Sequence, residues 1–356
     1  MIEINMFSAV RIAILATSAL LTCAANGADI KGAGSAKAEP LYAALAAAYA
    51  KSHPMTLTYQ ASNSRDGLKQ INAKAVDFGA SDVPLSAEER KVANMLCLPT
   101  AISGVVPVVN IAGVRKGQLK LTGDVLADIF ARKIVSWNDP RVTALNAGIK
   151  LPDQAITVIT RTESSGLTYD FTDYLSKVSK TWAAGFGRDL TIKWAAGVVP
   201  VKGHAALVSA FRSTPGAIAF ADFHHAKENE LNYVLLKNRD GKYVGPDASS
   251  FSSAVRNSAW NKSAAYEESL TDQAGASSWP ITAGTFILMP QKARNPEQAI
   301  AMLKFFAWSF AAGEAAIVKT DFVKLPDNVQ GRVFGELAGV TDNAGVPLRW
   351  SLADVL

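Results

Sequence analysis

Residues 76–86, Val-Asp-Phe-Gly-Ala-Ser-Asp-Val-Pro-Leu-Ser, decide the fold of this chain. They predict a short apolar strand that ends at Asp82, followed by a helix that begins near Ala87, because Ser86 and Glu89 form a capping-box pattern. Asp82 therefore lies at the carboxyl end of a strand, where open α/β sheets bind their ligands. Its ionised carboxylate only accepts hydrogen bonds, so a ligand that it holds has to bring a proton.

The segments on both sides of this stretch alternate between strands and helices. Strands are predicted at 29–34, 55–60, 76–81, 105–112, 156–160, 216–220, 233–236 and 279–289, and helices at 40–49, 67–75, 122–131, 167–175, 296–310 and 313–320. This order predicts an α/β fold with a parallel sheet and helices on both of its faces. A length of 356 residues allows one large domain or two of ordinary size.

The composition excludes several classes of protein. Hydrophobic residues make up 49% of the chain and charged residues 19%, which is enough to bury a large core and shows no disordered or fibrous bias. The 36 basic and 31 acidic residues give a net charge of +5 without a run of Lys or Arg. This mild charge argues against a nucleic-acid partner.

The N-terminus has the pattern of a cleavable signal peptide. Arg11 precedes the apolar run 12–21, and small residues follow it, so we assign residues 1–28 to the signal and expect a periplasmic protein. Threonine before Cys23 fits a lipoprotein cleavage box poorly, which argues against a lipidated form. Removal of the signal leaves Cys97 as the single cysteine, and its apolar neighbours predict a buried core thiol.

A second polar stretch follows the strand predicted at 156–160. Arg161 begins a short loop that runs through Ser165 to Gly166, where the next helix starts. Because first-turn N–H groups have no partner within their helix, such a point can bind an anion, and Arg161 adds a fork of donors that Glu163 would hold in place. The alternative is a serine that only caps the helix beside a surface ion pair, and the residues leave both interpretations open.

A similar polar turn at 60–67 contains Ser64, and there an ordinary turn is the favoured interpretation.

Catalytic and metal-binding patterns are missing from the sequence: its four histidines have no ligand spacing, and it has no Gly-x-Ser-x-Gly motif. Gly32-Ala-Gly34 lacks the third glycine of a dinucleotide loop. We therefore expect a protein that is not an enzyme and uses no metal or other cofactor, with an exported phosphatase as the unsupported alternative.

Taken together, these stretches resemble the periplasmic phosphate-binding proteins of the high-affinity phosphate ABC transporter. The matching segments, collinear along the chain, are 32–34, 67–71, 76–86, 161–166, 215–218, 279–282 and 303–306. The resemblance implies a two-lobe, type II periplasmic binding protein fold hinged by two crossing strands, near 105–110 and near 281–289. It implies one lobe made of 29–107 and 283–356 and a second lobe made of 108–282.

The resemblance also implies a phosphate site between the lobes. The positions that match family contacts are Ser64, Asp82, Arg161, Ser165 and Gly166, with backbone contacts implied at Ala36, Lys37 and Leu167. In that family the aspartate accepts the phosphate's own proton, and the arginine donates to its oxygens. Capture of inorganic phosphate for a membrane permease with a cytoplasmic ATPase is the function that follows.

This chain departs from the family pattern at several of these positions. Ala36-Lys37 stands where the family has a Thr-Phe pair, Leu167 replaces a threonine, and Arg65 and Glu163 replace a serine and an aspartate. Each lost neutral hydrogen bond costs about 0.5–1.5 kcal/mol, while Lys37 and Arg65 add charge or line the rim. The sequence therefore leaves open another protonated oxyanion (arsenate, a phosphonate or a phosphate ester) and a surface or sensor protein without a transport role.

Overall fold

The structure is a computed structural model that describes residues 28–264 and 266–355. The predicted signal peptide and Cys23 lie outside the described residues, except for Ala28, which begins the first strand. Among the described residues, no helix combines the length and the apolar character that a membrane crossing requires.

The chain alternates strands and helices, as the sequence predicts. The strands are β1 Ala28–Ser35, β2 Met55–Ser62, β3 Phe78–Ser81, β4 Met95–Asn110, β5 Lys120–Leu121, β6 Thr157–Arg161, β7 Val199–Val201, β8 Ala217–Asp222, β9 Leu235–Lys237, β10 Tyr243–Val244, β11 Thr282–Pro290, β12 Lys292–Ala293 and β13 Thr341–Asp342. The helices are α1 Glu39–Tyr49, α2 Ser64–Asn72, α3 Ala87–Ala93, α4 Gly123–Phe130, α5 Pro140–Leu145, α6 Gly166–Val178, α7 Lys180–Gly185, α8 His204–Ser213, α9 Phe223–Glu228, α10 Ala248–Arg256, α11 Pro296–Ala311, α12 Glu314–Lys319 and α13 Asp327–Ala338. The predicted α/β class is confirmed.

The main sheet has eight strands in the order β2-β1-β3-β11-β4-β8-β6-β7. At one end of the sheet β2, β1 and β3 pair in parallel, and at the other end β8, β6 and β7 do so. In the centre, β11 runs antiparallel to both β3 and β4, and β4 runs antiparallel to β8. The prediction of a parallel sheet is therefore wrong for its centre. The reason is that β11 returns from late in the chain and enters the sheet between two earlier strands, which local alternation of elements does not reveal.

Strand β4 joins the two ends of the sheet. Its residues from Met95 to Gly104 pair with β11, whereas Val105 to Asn110 pair with β8. The change of partner at Gly104 and Val105 coincides with the first crossing that the resemblance implies. The boundaries of the two lobes stay a prediction.

Packing between β1 and β3 brings their carboxyl ends together. Gly32 lies against the ring of Phe78, where a Cβ atom at position 32 would stand 2.2 Å from the ring. Phe78 is fully buried and packs edge-on against Tyr42 and Phe306. This close approach sets the residues that follow β1 beside the residues that follow β3.

Several element boundaries differ from the sequence predictions. Helix α2 begins at Ser64, because the side chain of Asn63 accepts the N–H of Asp66 at 3.0 Å and caps the helix there. Strand β4 begins at Met95 and so includes Cys97, a buried free thiol whose pKa burial raises to about 12. The predicted capping box of Ser86 and Glu89 is confirmed at the start of α3.

Candidate functional site

The centre of the candidate site is the carboxylate of Asp82, which follows β3 and is 5% exposed. The hydroxyl of Ser35, at the end of β1, donates to Oδ2 of Asp82 at 2.7 Å. The backbone N–H of Asp82 donates to the hydroxyl of Ser64, the first residue of α2, at 3.0 Å. The ends of two strands and the start of a helix therefore fix this acidic side chain. Ser35 is a site residue that the sequence analysis missed, although it directly follows the Gly-Ala-Gly stretch.

Lys37 places a buried ammonium beside the same carboxylate. Its Nζ lies 3.3 Å from Oδ1 of Asp82 and donates to the carbonyl of Gly284 at 3.2 Å. Burial alone would lower the pKa of Lys37, but the nearby carboxylates of Asp82 and Asp170 hold this pKa above its ordinary value. Lys37 is therefore a cation. Its side chain, and not only its backbone, belongs to the site, whereas Arg65 is 59% exposed and pairs with Asp189 at the rim.

A second buried carboxyl group, Asp170 on α6, faces this cluster. It is 8% exposed, and no described residue makes a hydrogen bond to its Oδ2 atom. Burial raises the pKa of Asp170 well above its usual range, and the attraction of Lys37 opposes that shift only in part. A protonated Asp170 is a hydrogen-bond donor, which an ionised carboxylate is not. Nothing in the sequence pattern of α6 distinguishes this residue.

The start of α6 lies directly against Asp82. A Cβ atom added to Gly166 would stand 2.3 Å from Cβ of Asp82. Ser165 occupies the cap position of α6, yet its side chain makes no capping hydrogen bond. The interpretation in which Ser165 only caps the helix therefore does not describe this structure, and Leu167 continues the helix as a buried residue.

Arg161 ends β6, and the side chain of Glu163 holds it. Oε1 of Glu163 pairs with the guanidinium of Arg161 and also accepts the backbone N–H of Gly203 at 3.1 Å. The guanidinium side chain is only 11% exposed, so the pair is not an ordinary surface ion pair. The clamp that the sequence suggested is thus present.

The structure brings most of the candidate residues together. Ser64, Lys37 and Gly166 all contact or abut Asp82. Ala36 precedes Lys37 in a single turn of 3-10 helix and is itself exposed. Arg161, at the end of β6, has Glu163 as its partner, and no hydrogen bond of the described residues joins it to Asp82.

The structure also brings together two of the four histidines and an aspartate, which the sequence did not predict. Ligand atoms of His204, Asp222 and His225 all lie within 4.8 Å of one another. Asp222 ends β8 and caps α9, and its Oδ2 lies 2.7 Å from Nδ1 of His225. The spacing of the histidines in the sequence gives no sign of this group, because His204 follows β7 whereas Asp222 and His225 lie at the end of β8 and the start of α9.

Charge and burial set the protonation of this histidine cluster. Burial, with a smaller effect from His225, lowers the pKa of His204 to about 4. Burial alone would raise the pKa of Asp222, but its hydrogen bonds and ion pair with His225 lower it to about 2. At neutral pH His204 is thus an uncharged ring and Asp222 a carboxylate.

Comparison with known proteins places this chain among binding proteins. Residues 22–312 match the model of the PBP superfamily domain. The chain is 40% identical over 321 residues to the phosphate-binding protein PstS of Pasteurella multocida, covering 90% of this chain and 92% of that protein. It is 40% identical over 301 residues to PstS of Haemophilus influenzae, covering 85% of this chain and 90% of that protein.

Solved structures show the same fold at lower identity. A phosphate-binding protein from Stenotrophomonas maltophilia superposes with a TM-score of 0.64 at 20% identity, covering 86% of this chain and 93% of its own. An ABC-type phosphate transport receptor from Vibrio cholerae superposes with a TM-score of 0.55 at 17% identity, covering 83% and 100% of the two chains. The fold is the two-lobe, type II binding-protein fold that the sequence resemblance implies.

Proposed function

The chain belongs to the PstS family of phosphate-binding proteins, and from that premise we propose that the site around Asp82 captures inorganic phosphate for import. The observation that carries the proposal is the contact between a buried carboxylate and a helix start, Asp82 against Gly166. At that contact the N–H groups of the helix start, which can bind an anion, lie beside the Asp82 carboxylate, which accepts a hydrogen bond only from a ligand that carries a proton.

Attraction for the anion comes from helix starts and from arginine. The first-turn N–H groups of α2 and α6 lack partners within their helices and carry partial positive charge. Arg161 adds a rigid fork of donors that suits a tetrahedral oxyanion, and Glu163 orients that fork. These groups bind phosphate, arsenate and sulfate with little distinction between them.

Distinction between these anions comes from Asp82. Its carboxylate can accept a hydrogen bond from a ligand that carries a proton, as phosphate does at neutral pH and sulfate does not. An anion without a proton would place its oxygen atoms against the buried carboxylate of Asp82 with no hydrogen bond between them. Binding of such an anion is therefore strongly disfavoured.

Delivery to a transporter follows from the family. We propose that the protein is exported to the periplasm by residues 1–28 and passes its ligand to a membrane permease driven by a cytoplasmic ATPase. The site serves binding and release, and the proposal gives it no catalytic step.

A competitive titration of the purified protein tests this function. Calorimetry with phosphate, followed by displacement with arsenate and with sulfate, gives the three affinities under the same conditions. The proposal expects tight binding of phosphate and displacement by arsenate. Failure to bind phosphate would contradict it, as would release of product from a chromogenic phosphate ester.

One observation favours a second candidate, a receptor that also takes fully ionised oxyanions. Lys37 already offers a cationic donor to Asp82, and burial raises the pKa of the nearby Asp170 well above its usual range, which favours its hydrogen-bond-donating form. With these donors supplied by the protein, the ligand has less need to bring a proton. Sulfate would then displace phosphate in the titration above, while an exclusive phosphate receptor would leave it bound.

A further inference from the structure

A group of metal-ligating side chains lies at the edge of the sheet that also carries Arg161. Strands β7, β6 and β8 are neighbours with parallel directions, so their carboxyl ends meet at one edge. His204 follows β7, Arg161 ends β6 and Asp222 ends β8. His225 joins them from the first turn of α9.

The geometry of this group leaves one of its nitrogens without a partner. The rings of His204 and His225 have their centroids 3.8 Å apart. No described residue makes a hydrogen bond to Nε2 of His204, although that atom is buried. A buried polar atom left unsatisfied costs about 1–3 kcal/mol. This nitrogen is therefore open to a ligand that the described residues do not supply.

We propose that His204, His225 and Asp222 form a binding site for a divalent transition-metal ion of the zinc class. Two imidazoles and one carboxylate are the donors that such ions prefer, and three protein ligands leave a fourth position for water or another ligand. Zinc needs ligand atoms about 2.0–2.1 Å from the ion. Atoms that already lie within 4.8 Å of one another reach that distance by small side-chain rotations.

The burial and contacts of the donor atoms suit a bound cation. The carboxylate of Asp222 is 2% exposed, and Nε2 of His204 is buried without a hydrogen-bond partner among the described residues. The carboxylate and His225 are already joined by a 2.7 Å contact, which orients the ring of His225.

The position of the group ties it to the site described above. The N–H of Gly203, directly before His204, donates to Glu163, and Glu163 pairs with Arg161. No hydrogen bond of the described residues joins the proposed metal ligands to Asp82 or Gly166, so a failure to bind phosphate would leave the proposed metal site standing. It can be tested without any oxyanion present.

The test is a zinc titration of the untagged protein, freed of metal by a chelator, in buffer without phosphate. Calorimetry is expected to give one ion per chain, and bound zinc is expected to raise the melting temperature, since it binds only the folded state. His204→Ala and His225→Ala are each expected to weaken zinc binding by tenfold or more. Cobalt(II) is expected to give the visible absorption of a four-coordinate ion in the wild type and not in His204→Ala.

Two histidines outside the group serve as matched controls. His224→Ala and His53→Ala are expected to leave the zinc affinity and stoichiometry unchanged. Circular dichroism checks that each variant is folded, and Asp222→Asn provides a variant that keeps the volume and the helix cap. Absence of zinc binding to the wild type would overturn the proposal, and so would equal binding by His204→Ala, which would place the ion elsewhere.

Discussion

Gly166 lies so close to Asp82 that a side chain at position 166 has no room. A Cβ atom there would stand 2.3 Å from Cβ and 2.6 Å from Oδ2 of Asp82. Contacts of that length do not occur between real atoms, so either the start of α6 or the carboxylate would have to move. Position 166 therefore needs glycine because a side chain would block the close approach of α6 to Asp82, and not because of its backbone angles.

We expect Gly166→Ala to weaken phosphate binding by tenfold or more, because the first turn of α6 could no longer approach Asp82. Alanine is a good helix former, so the helix itself should stay folded. Isothermal calorimetry measures the affinity. Gly148→Ala is the matched control, since nothing lies within 4 Å of a Cβ at that position. Equal affinities for the two variants would mean that the approach is not needed for binding.

Arg161→Ala tests the proposed source of attraction. Truncation of a buried charged partner costs about 2–5 kcal/mol, and the dissociation constant for phosphate is expected to rise accordingly. Arg161→Lys should recover part of this loss, because lysine keeps the charge and lacks the fork of donors. Arg115→Ala, at an exposed position, is the control. An unchanged dissociation constant in Arg161→Ala would place this arginine outside the site.

Asp82→Asn tests the proposed selection for a proton. Asparagine can donate a hydrogen bond where aspartate only accepts one, so we expect the ratio of sulfate to phosphate affinity to rise by tenfold or more. Competitive calorimetry measures that ratio directly. The same ratio in the variant and the wild type would remove Asp82 from the selectivity of the site.

Lys37→Met separates the two candidate functions. Methionine keeps much of the apolar stem and removes the ammonium that lies 3.3 Å from Asp82. If Lys37 compensates for a ligand without a proton, the variant loses sulfate affinity by tenfold or more and loses less affinity for phosphate. Arg65→Met removes an exposed charge at the rim and should change neither affinity by more than about twofold. Equal losses for both anions would assign Lys37 to general attraction alone.

The sequence predicts several elements of this fold, because their signals are local, whereas short helices such as α5, α7 and α9 were not predicted. The capping box of Ser86 and Glu89 and the proline near the start of α1 act over a few residues, and the structure has both helices as expected. The direction of β11 could not be predicted in this way. It depends on pairing with β3 and β4, which lie far away in sequence.

The same difference between local and long-range signals decides which residues of the candidate site the sequence predicts. The sequence singles out Asp82 and Arg161 as candidates because each follows a recognisable strand. Asp170 and His204 were missed, because a buried carboxyl group inside an ordinary helix and a histidine after a three-residue strand carry no local signal. Their surroundings are made by residues from other elements, so only the three-dimensional structure reveals them.

Asp173 is expected to hold α6 in place, and its effect on stability should depend on pH. This carboxylate is 1% exposed and accepts hydrogen bonds from Arg188 and from the hydroxyls of Ser269 and Thr271, with Lys177 at 3.1 Å. Burial alone would raise its pKa, but these partners lower it below the ordinary value.

A group whose pKa is lower in the folded state adds stability above its unfolded pKa, about 4 for aspartate, and loses it as the pH falls. We therefore expect Asp173→Asn to reduce the free energy of unfolding by about 1–3 kcal/mol at pH 7, and the difference to shrink between about pH 5 and pH 3. Urea unfolding at several pH values measures this. The exposed Asp153→Asn is the control. A difference that stays constant as the pH falls would show that the charge of Asp173 does not stabilise the fold.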